Sequence, residues 1–323
     1  MTLLQFFKNF FIDNPIAITK KIYFWLFNFI GVRFPILYIP FYYWNILRPL
    51  RIGKDGRVGM LQLSSDFVYG CNLRCEFCNA FSPYLKGFQL ADALLSSYVQ
   101  WSKKIKPQYF FLSGGEPFLH PELPRILRES AKIWKDSELW ISTNGLLLER
   151  LKPDVLQAIK DTNYKIIVTE HTFEPEHRKR LDAGYARLKH ENIYFVVRPS
   201  RLTWLAVYQY GENGSISPYK SNPTKAWNNC MYHACMTIAD NKLFKCVALL
   251  HAYTASQKGV LDAEVWKAAL IYQPLTLLST PEEIIKHLRR GVGEECAVCP
   301  EKYAIVPARQ MSLENVNMTL VKK

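Results

Sequence analysis

The sequence predicts an α/β protein organised on a parallel sheet. An open, partial (β/α)6 barrel at 58–210 is preceded by an aromatic, basic helical segment at 1–57 and followed by a small α+β domain at 211–323. Three observations predict this. From Gly59 to Tyr208, short strand-like runs alternate with helical stretches, the pattern of βα units with parallel strands. Four of those runs end in residues that carry chemistry, as the carboxyl ends of barrel strands do. The alternation then stops at Gly211–Pro223, a stretch of Gly, Ser, Asn and Pro that reads as a linker.

In the N-terminal segment, Met1 to Ile12 sets Leu3, Leu4, Phe6, Phe7, Phe10 and Phe11 around Lys8 and Asn9, as a short amphipathic helix would. Ile22 to Leu47 contains one charge, Arg33, and is interrupted by Gly31, Pro35 and Pro40. It is long enough for a bilayer core, which takes about 20 apolar residues, but the interruptions argue against a simple span. Residues 1–60 hold eight basic residues against two acids, and 15 of the 45 aromatics in a chain of net charge +13. Interleaved rings and cations suit the headgroup zone of an anionic membrane surface; the alternative is a set of helices capping the barrel. No small-residue cleavage site follows the apolar stretch, so a secretory signal is not expected. The expected location is cytoplasmic, peripheral on the inner face of the membrane.

The first strand, Gly59–Val68, runs into Cys71-Asn72-Leu73-Arg74-Cys75-Glu76-Phe77-Cys78, and a helix covers Ala91 to Ile105. The second strand, Gln108–Leu112, ends in Ser113-Gly114-Gly115-Glu116-Pro117 and is followed by a helix from Glu122 to Trp134. The third, Glu138–Ser142, ends in Thr143-Asn144-Gly145, with a helix after it to Lys160. The fourth, Lys165–Thr169, delivers Glu170 and precedes a charged helix at Pro175–Lys189. Ile193–Val197 and Trp204–Tyr208 are the fifth and sixth strands. Beyond the linker, Met236–Ile238 and Leu243–Cys246 form a hairpin about Asp240-Asn241, because Asn tolerates the left-handed turn conformation. A helix at Pro281–Arg290 is capped by Thr280.

Three cysteines at C-x3-C-x2-C make an incomplete cage. Four-iron clusters are normally held by four thiolates, so a loop offering three leaves one iron open to a ligand that is not protein. The other reading is a zinc site completed by a distant His or Cys. All eight cysteines cluster, at 71/75/78, 230/235/246 and 296/299, which in a chain without a secretory signal favours metal binding over disulfides. The octet closely resembles the signature of the radical S-adenosylmethionine (SAM) superfamily, with Phe77 as its aromatic. The resemblance implies that Cys71, Cys75 and Cys78 hold a [4Fe-4S] cluster whose open iron takes the amino and carboxylate groups of SAM. It also implies reductive cleavage of SAM to a 5'-deoxyadenosyl radical, which takes a hydrogen atom from substrate. By the same resemblance Gly114, Gly115 and Glu116 align the methionine end of SAM, and Ser142 and Asn144 face its ribose or methionine moiety. Gly114 lies 36 residues after Cys78 and Ser142 lies 28 after Gly114, about one βα unit each. Glu170 and Arg198 are candidates for the ribose hydroxyls and the SAM carboxylate, since Arg forks onto carboxylates; each would equally serve in an ion pair or face solvent.

The C-terminal pattern, Cys230-x4-Cys235-x10-Cys246 followed by Cys296-x2-Cys299, resembles the Twitch domain, the shorter relative of SPASM domains. That resemblance implies a second, auxiliary four-iron cluster, with Cys230, Cys246, Cys296 and Cys299 as the favoured ligands. Asn241 stands where the related consensus has Gly, and a set using Cys235 in place of Cys230 stays open, as does zinc on the same thiols. The fifth thiol, Cys235, is either a buried apolar residue or, as a cysteine does in radical SAM epimerases, a hydrogen-atom donor to the substrate radical.

The expected function is radical SAM oxidation or epimerisation of a sugar, polyol or lipid-linked sugar, with a reducing electron donor as partner. Peptide-modifying and nucleic-acid-modifying enzymes of the same superfamily are the alternatives. Positive charge by itself supplies only nonspecific attraction to nucleic acid, and no peptide-binding N-terminal domain is evident. A zinc-binding, membrane-associated scaffold is the non-enzymatic reading.

Overall fold

The computed structural model describes residues 47–171, 174–198, 203–210, 215–230, 235–302, 304–307 and 309–311. The chain divides into two units, Met1–Pro49 and Leu50–Lys323. Nearly all of the first unit, with the short helix expected at Met1–Ile12 and nearly all of the apolar run at Ile22–Leu47, lies outside the described residues. Among those described, no helix is long and apolar enough to cross a membrane.

In chain order the second unit runs β1 (Val58–Val68), α1 (Ala91–Ser102), β2 (Ile105–Gly114), α2 (Leu123–Ile133), β3 (Glu138–Thr143), α3 (Pro153–Thr162), β4 (Lys165–Thr169), α4 (Pro175–His190) and β5 (Phe195–Arg198). There follow β6 (Thr203–Leu205), β7 (Gln209–Tyr210), β8 (Ile216–Ser217), α5 (Pro223–Asn228), β9 (Thr237–Ala239), β10 (Lys242–Phe244), α6 (Val247–Gln257), α7 (Lys267–Leu270), β11 (Leu275–Thr276), α8 (Pro281–Arg289) and β12 (Ile305–Pro307). Strands β1 to β5 pair in sequence order and parallel, each successive pair joined through a helix, the arrangement of a partial barrel. Helix α1 packs through Leu94, Leu95, Tyr98 and Trp101, and the Tyr98 hydroxyl donates to Ser65 Oγ at 2.7 Å. Ser65 of β1 therefore faces the helical layer, and by the two-residue alternation of a strand its neighbour Asp66 faces the other way.

Two expected boundaries move for identifiable reasons. Strand β2 extends back over Pro107, which a central strand would not tolerate. Its pairing with β3 starts only at Tyr109, so the proline lies past that ladder. Strand β5 starts at Phe195, two residues later than expected. Asn192 is left-handed (φ 54°) and Ile193 N donates to Leu188 O, so the end of α4 is still being capped there.

The sixth strand requires a correction. Thr203–Leu205 pairs antiparallel with β12, in a separate two-stranded sheet, and among the described residues it does not extend the parallel sheet. The residues after it explain this. Ala206, Val207 and Tyr208 are buried, and Tyr208 stacks on Phe81 at 4.9 Å inside an apolar cluster with Trp266 and Tyr272. Burial in that cluster outweighs a sixth place in the sheet.

The hairpin forms as expected, with Asp240 and Asn241 both left-handed (φ 49° and 61°). Strand β9 also pairs parallel with β1 (Ser64 with Thr237, Ser65 with Ile238), so the C-terminal region continues the sheet of the barrel. The expected linker contains β8, which pairs with β7; its residues 211–214 lie outside the described ones. Thr280 caps α8 in a full capping box with Glu283.

Candidate active site

The three-cysteine loop leaves the end of β1 at Gly70. Cys78 N donates to Cys75 O at 3.3 Å and Phe81 N to Cys78 O at 2.8 Å, so the last two cysteines and the segment after them form consecutive turns. Phe77 takes a left-handed conformation (φ 57°), uncommon for a bulky residue. Its ring is held against Tyr210 at 4.8 Å and Tyr208 at 5.7 Å, so the aromatic of the signature anchors the loop to the C-terminal apolar cluster.

The sulfurs are met by N–H donors. Leu73 N donates to Cys71 Sγ at 3.4 Å, Asn144 Nδ2 to the same sulfur at 3.5 Å, and Gln310 Nε2 to Cys75 Sγ at 3.2 Å. Burial, with the Cys78 charge adding to it at both, pushes the Cys71 and Cys75 thiols up to about 12. Burial likewise raises Cys78 against the backbone donors around it. Such thiols keep their protons at neutral pH until a cation replaces them, as metal sites do. Among the described residues no group of three His, Cys, Asp or Glu is placed to hold a single metal ion. A four-iron cluster asks for something else, because each thiolate sits on its own iron. The donor set, one buried and two half-buried thiols met by N–H groups, fits it.

The Gly-Gly-Glu-Pro motif closes on this loop. Gly115 N donates to Val68 O at 2.6 Å and Glu116 N to Gly70 O at 3.0 Å. A Cβ at Gly114, itself at φ 127°, would fall 2.4 Å from Val68 O, and one at Gly115 would fall 2.0 Å from Gly70 O. The paired glycines are therefore already required by the approach of one protein backbone to another, before any ligand binds.

Glu116 is fully buried. Its carboxylate accepts from Phe118 N at 3.2 Å, Thr143 Oγ1 at 2.9 and 3.0 Å and Asn144 N at 3.0 Å, which ties the end of β2 to the end of β3. Burial outweighs these donors and raises its pKa from 4.5 to about 7. A carboxyl raised in this way stabilises the fold fully at low pH, and the contribution is lost as pH rises from 4.5 to about 7. The loss amounts to about 3 kcal/mol. In the metal-free protein, Glu116→Gln is expected to flatten this part of the stability profile, as read by urea unfolding at pH 5 and pH 8. A variant whose stability falls with pH as steeply as the wild type would contradict the assignment.

Asn144 sits between the motifs. Its Nδ2 reaches Asn72 Oδ1 at 2.7 Å as well as Cys71 Sγ, and its Oδ1 accepts from Leu146 N at 3.0 Å. Ser142 is half-buried on β3, in register with Ile167 of β4. Glu170 makes an ion pair, accepting from Arg178 Nη1 and from the Tyr185 hydroxyl, both at 2.8 Å on α4. Arg198 is exposed at the end of β5, where its charge adds to the burial that lowers His171 to about 4.

Residues 66–189 match the family model of the radical SAM superfamily. The chain carries a radical SAM domain. Its relatives include GTP 3',8-cyclase of Aquifex aeolicus (strain VF5), 32% identical over 117 residues, which are 34% of this chain and 35% of that protein. GTP 3',8-cyclase 1 of Mycobacterium tuberculosis (strain ATCC 25618 / H37Rv) is 33% identical over 144 residues, 42% of this chain and 38% of that protein. The chain thus spans less than two fifths of the length of either relative. Among solved structures, BtrN in complex with AdoMet and 2-DOIA matches at TM-score 0.40 and 14% identity, over 77% of this chain and 98% of that one. Streptococcus suis SuiB bound to precursor peptide SuiA matches at TM-score 0.32 and 14% identity, over 59% and 60%.

Outside the radical SAM domain lies the second set of thiols. Cys230, Cys246, Cys296 and Cys299 line one pocket, with Trp227, Lys245, Tyr272 and Glu295 in its wall. Cys246 occupies the N-cap of α6, where the Leu249 and Ala248 N–H groups oppose the upward push of burial on its thiol. Burial also raises Cys296 and Cys299. The Lys245 ammonium lies 4.4 Å from the Trp227 ring centre and donates to Gly291 O at 3.0 Å; burial, then the Arg290 charge, lowers it to about 8. Cys235 is not part of that wall. It is half-buried, desolvation raises its thiol to about 12, and the charges of Cys246, Arg198 and Asp66 reach it.

Sequence reasoning missed the polar group on the inner face of β1. Asp66 is buried and accepts from Ser113 Oγ and from His251 Nε2. Burial alone would raise its pKa, but these two partners hold it below the ordinary carboxylate range. The one charged residue of the strand, two residues from its end, was the only signal in the sequence. Nothing there identifies His251, 185 residues away, as its partner.

Proposed function

We propose that this chain is an enzyme that cleaves SAM reductively and takes a hydrogen atom from a sugar, polyol or lipid-linked sugar, in an oxidation or an epimerisation. A four-iron cluster with SAM on its open iron would supply the electron that breaks a carbon-sulfur bond and releases a 5'-deoxyadenosyl radical. The observation that carries the proposal is the three thiols on one loop, Cys75 buried and Cys71 and Cys78 half-buried, met by N–H donors and locked against the Gly-Gly-Glu-Pro brace. Cys71, Cys75 and Cys78 would hold the cluster, and Asn144 and Gln310 would orient two of its sulfurs. The backbone at Gly114 and Gly115 and the loop at Ser142–Asn144 would border the methionine and ribose of SAM. The four-thiol pocket would hold a second cluster, and a group of that kind suits a two-electron oxidation because it accepts the electron left on the substrate. Cys235, half-buried and within reach of the charges of Asp66 and Arg198, is the proposed hydrogen donor if the net reaction is an epimerisation. A lipid-linked substrate agrees with the aromatic, basic composition of residues 1–60.

A second reading comes from the relatives, whose name makes a purine nucleotide a candidate substrate. It rests on similarity that covers 34% and 42% of this chain.

The test is anaerobic reconstitution followed by SAM and a strong reductant, with deoxyadenosine measured by chromatography. Formation of deoxyadenosine is expected, and its absence from fully loaded protein would overturn the proposal. Repeating the assay with polyols, nucleotide sugars and GTP then separates the two substrate readings, because the right class should raise the rate and yield a new product.

A further inference from the structure

We propose that Gln310, on a C-terminal strap, positions and redox-tunes the three-cysteine site. The inference rests on the reading of that site as the seat of a four-iron cluster. The strap comprises residues 304–307 and 309–311. Ala206 N donates to Ala304 O at 2.9 Å, β12 pairs with β6, and the chain then crosses the cysteine loop as an antiparallel bridge between Cys75 and Gln310. Glu76 N donates to Arg309 O at 2.8 Å and Met311 N to Arg74 O at 2.7 Å, so main-chain bonds flank Gln310 on both sides. Arg74 Nε adds a bond to Met311 O at 3.1 Å. The Met311 side chain is buried, and its sulfur accepts from the Tyr84 hydroxyl at 3.3 Å and the Tyr210 hydroxyl at 3.5 Å.

This framework fixes the amide. Gln310 Oε1 accepts from Arg74 N at 2.8 Å, an unambiguous donor, so the other end of the group must be the NH2. That NH2 lies 3.2 Å from Cys75 Sγ and 3.5 Å from His171 O. A donor to a ligating sulfur withdraws electron density and favours the reduced state, one of the levers by which proteins set the potential of such centres. Cys71 receives its donors from Leu73, inside the loop, and from Asn144, inside the family core. The side-chain donor to Cys75 comes from 235 residues further along the chain. Through Met311, which packs in the apolar cluster that Cys246 and Cys299 border, the strap also ties the second thiol region to the first.

The experiment compares the full-length, anaerobically reconstituted wild type with Gln310→Met, which keeps length and loses the donor, and Gln310→Glu, which keeps the bond to Arg74 N and turns an acceptor toward the sulfur. Midpoint potentials are read by electron paramagnetic resonance. A variant with Cys71, Cys75 and Cys78 all changed to Ala supplies the spectrum of any other centre for subtraction. Both Gln310 variants should have a lower potential at the three-cysteine site, Gln310→Glu the lower of the two. The expected size is about a tenfold change in the reduction equilibrium, or 59 mV for one electron. Equal potentials in all three proteins would overturn the inference. A wild type whose spectrum matches that of the triple variant would instead overturn the cluster reading, and the role of Gln310 with it.

Discussion

Changing Cys71, Cys75 and Cys78 together to Ala is expected to lower the iron of the reconstituted chain from about eight atoms to about four and to abolish deoxyadenosine formation. The three thiols lie on one loop, and the second set lines a different pocket, built from α5, the start of α6 and the Cys296–Cys299 turn. Loss of the first set should therefore leave the second intact. Each of the three thiols also needs a cation to hold it as thiolate, so truncation removes ligands and not merely packing. Iron and sulfide analysis checks the prediction. A fall from about four irons to none would mean that the C-terminal thiols hold no cluster, and the proposed second electron acceptor would have to be abandoned.

The parallel core was legible because its signals are local. Each strand carries Val, Ile, Phe or Leu within a short stretch closed by a turn, and the fourth has the bounds expected of it, Lys165–Thr169. Motif positions were legible for the same reason, since cysteines, glycines and asparagine at strand ends need no partner to be recognised. What escaped depends on distant parts of the chain. β6 was misassigned because its partner, β12, lies about a hundred residues on, and because the burial of Tyr208 with Phe81 has no sequence periodicity. Gln310 escaped because a single amide in an irregular segment looks like surface. Glu116 was legible as a site residue, but its engagement by Thr143, Asn144 and Phe118 was not. For Glu170 an ion pair was one of the expected readings, but its partner, Arg178, follows from the docking of α4.

Gly115→Ala is expected to destabilise the metal-free protein by about 3–5 kcal/mol and to prevent iron from entering the three-cysteine site. A methyl group there would lie 2.0 Å from Gly70 O, 2.6 Å from Gly70 C and 2.9 Å from Tyr69 O. All three are main-chain atoms, so no side chain can turn aside. The strand end and the start of the cysteine loop would have to separate. Separation breaks the bonds from Gly115 N to Val68 O and from Glu116 N to Gly70 O, each worth about 1 kcal/mol net, and overpacking strain adds a further 1–3 kcal/mol. Gly291 provides the control, because a Cβ there meets nothing within 4 Å. Gly291→Ala should remain within about 0.5 kcal/mol of the wild type. Urea unfolding and iron uptake, measured on the same preparations, separate two cases. If Gly115→Ala loses stability yet still loads iron, the brace is a folding device only. If both are retained, the close approach at Gly70 is not needed and the locked-loop account fails. Loss of both is what the geometry requires, because the backbone that would receive the methyl group is the same backbone that leads into Cys71.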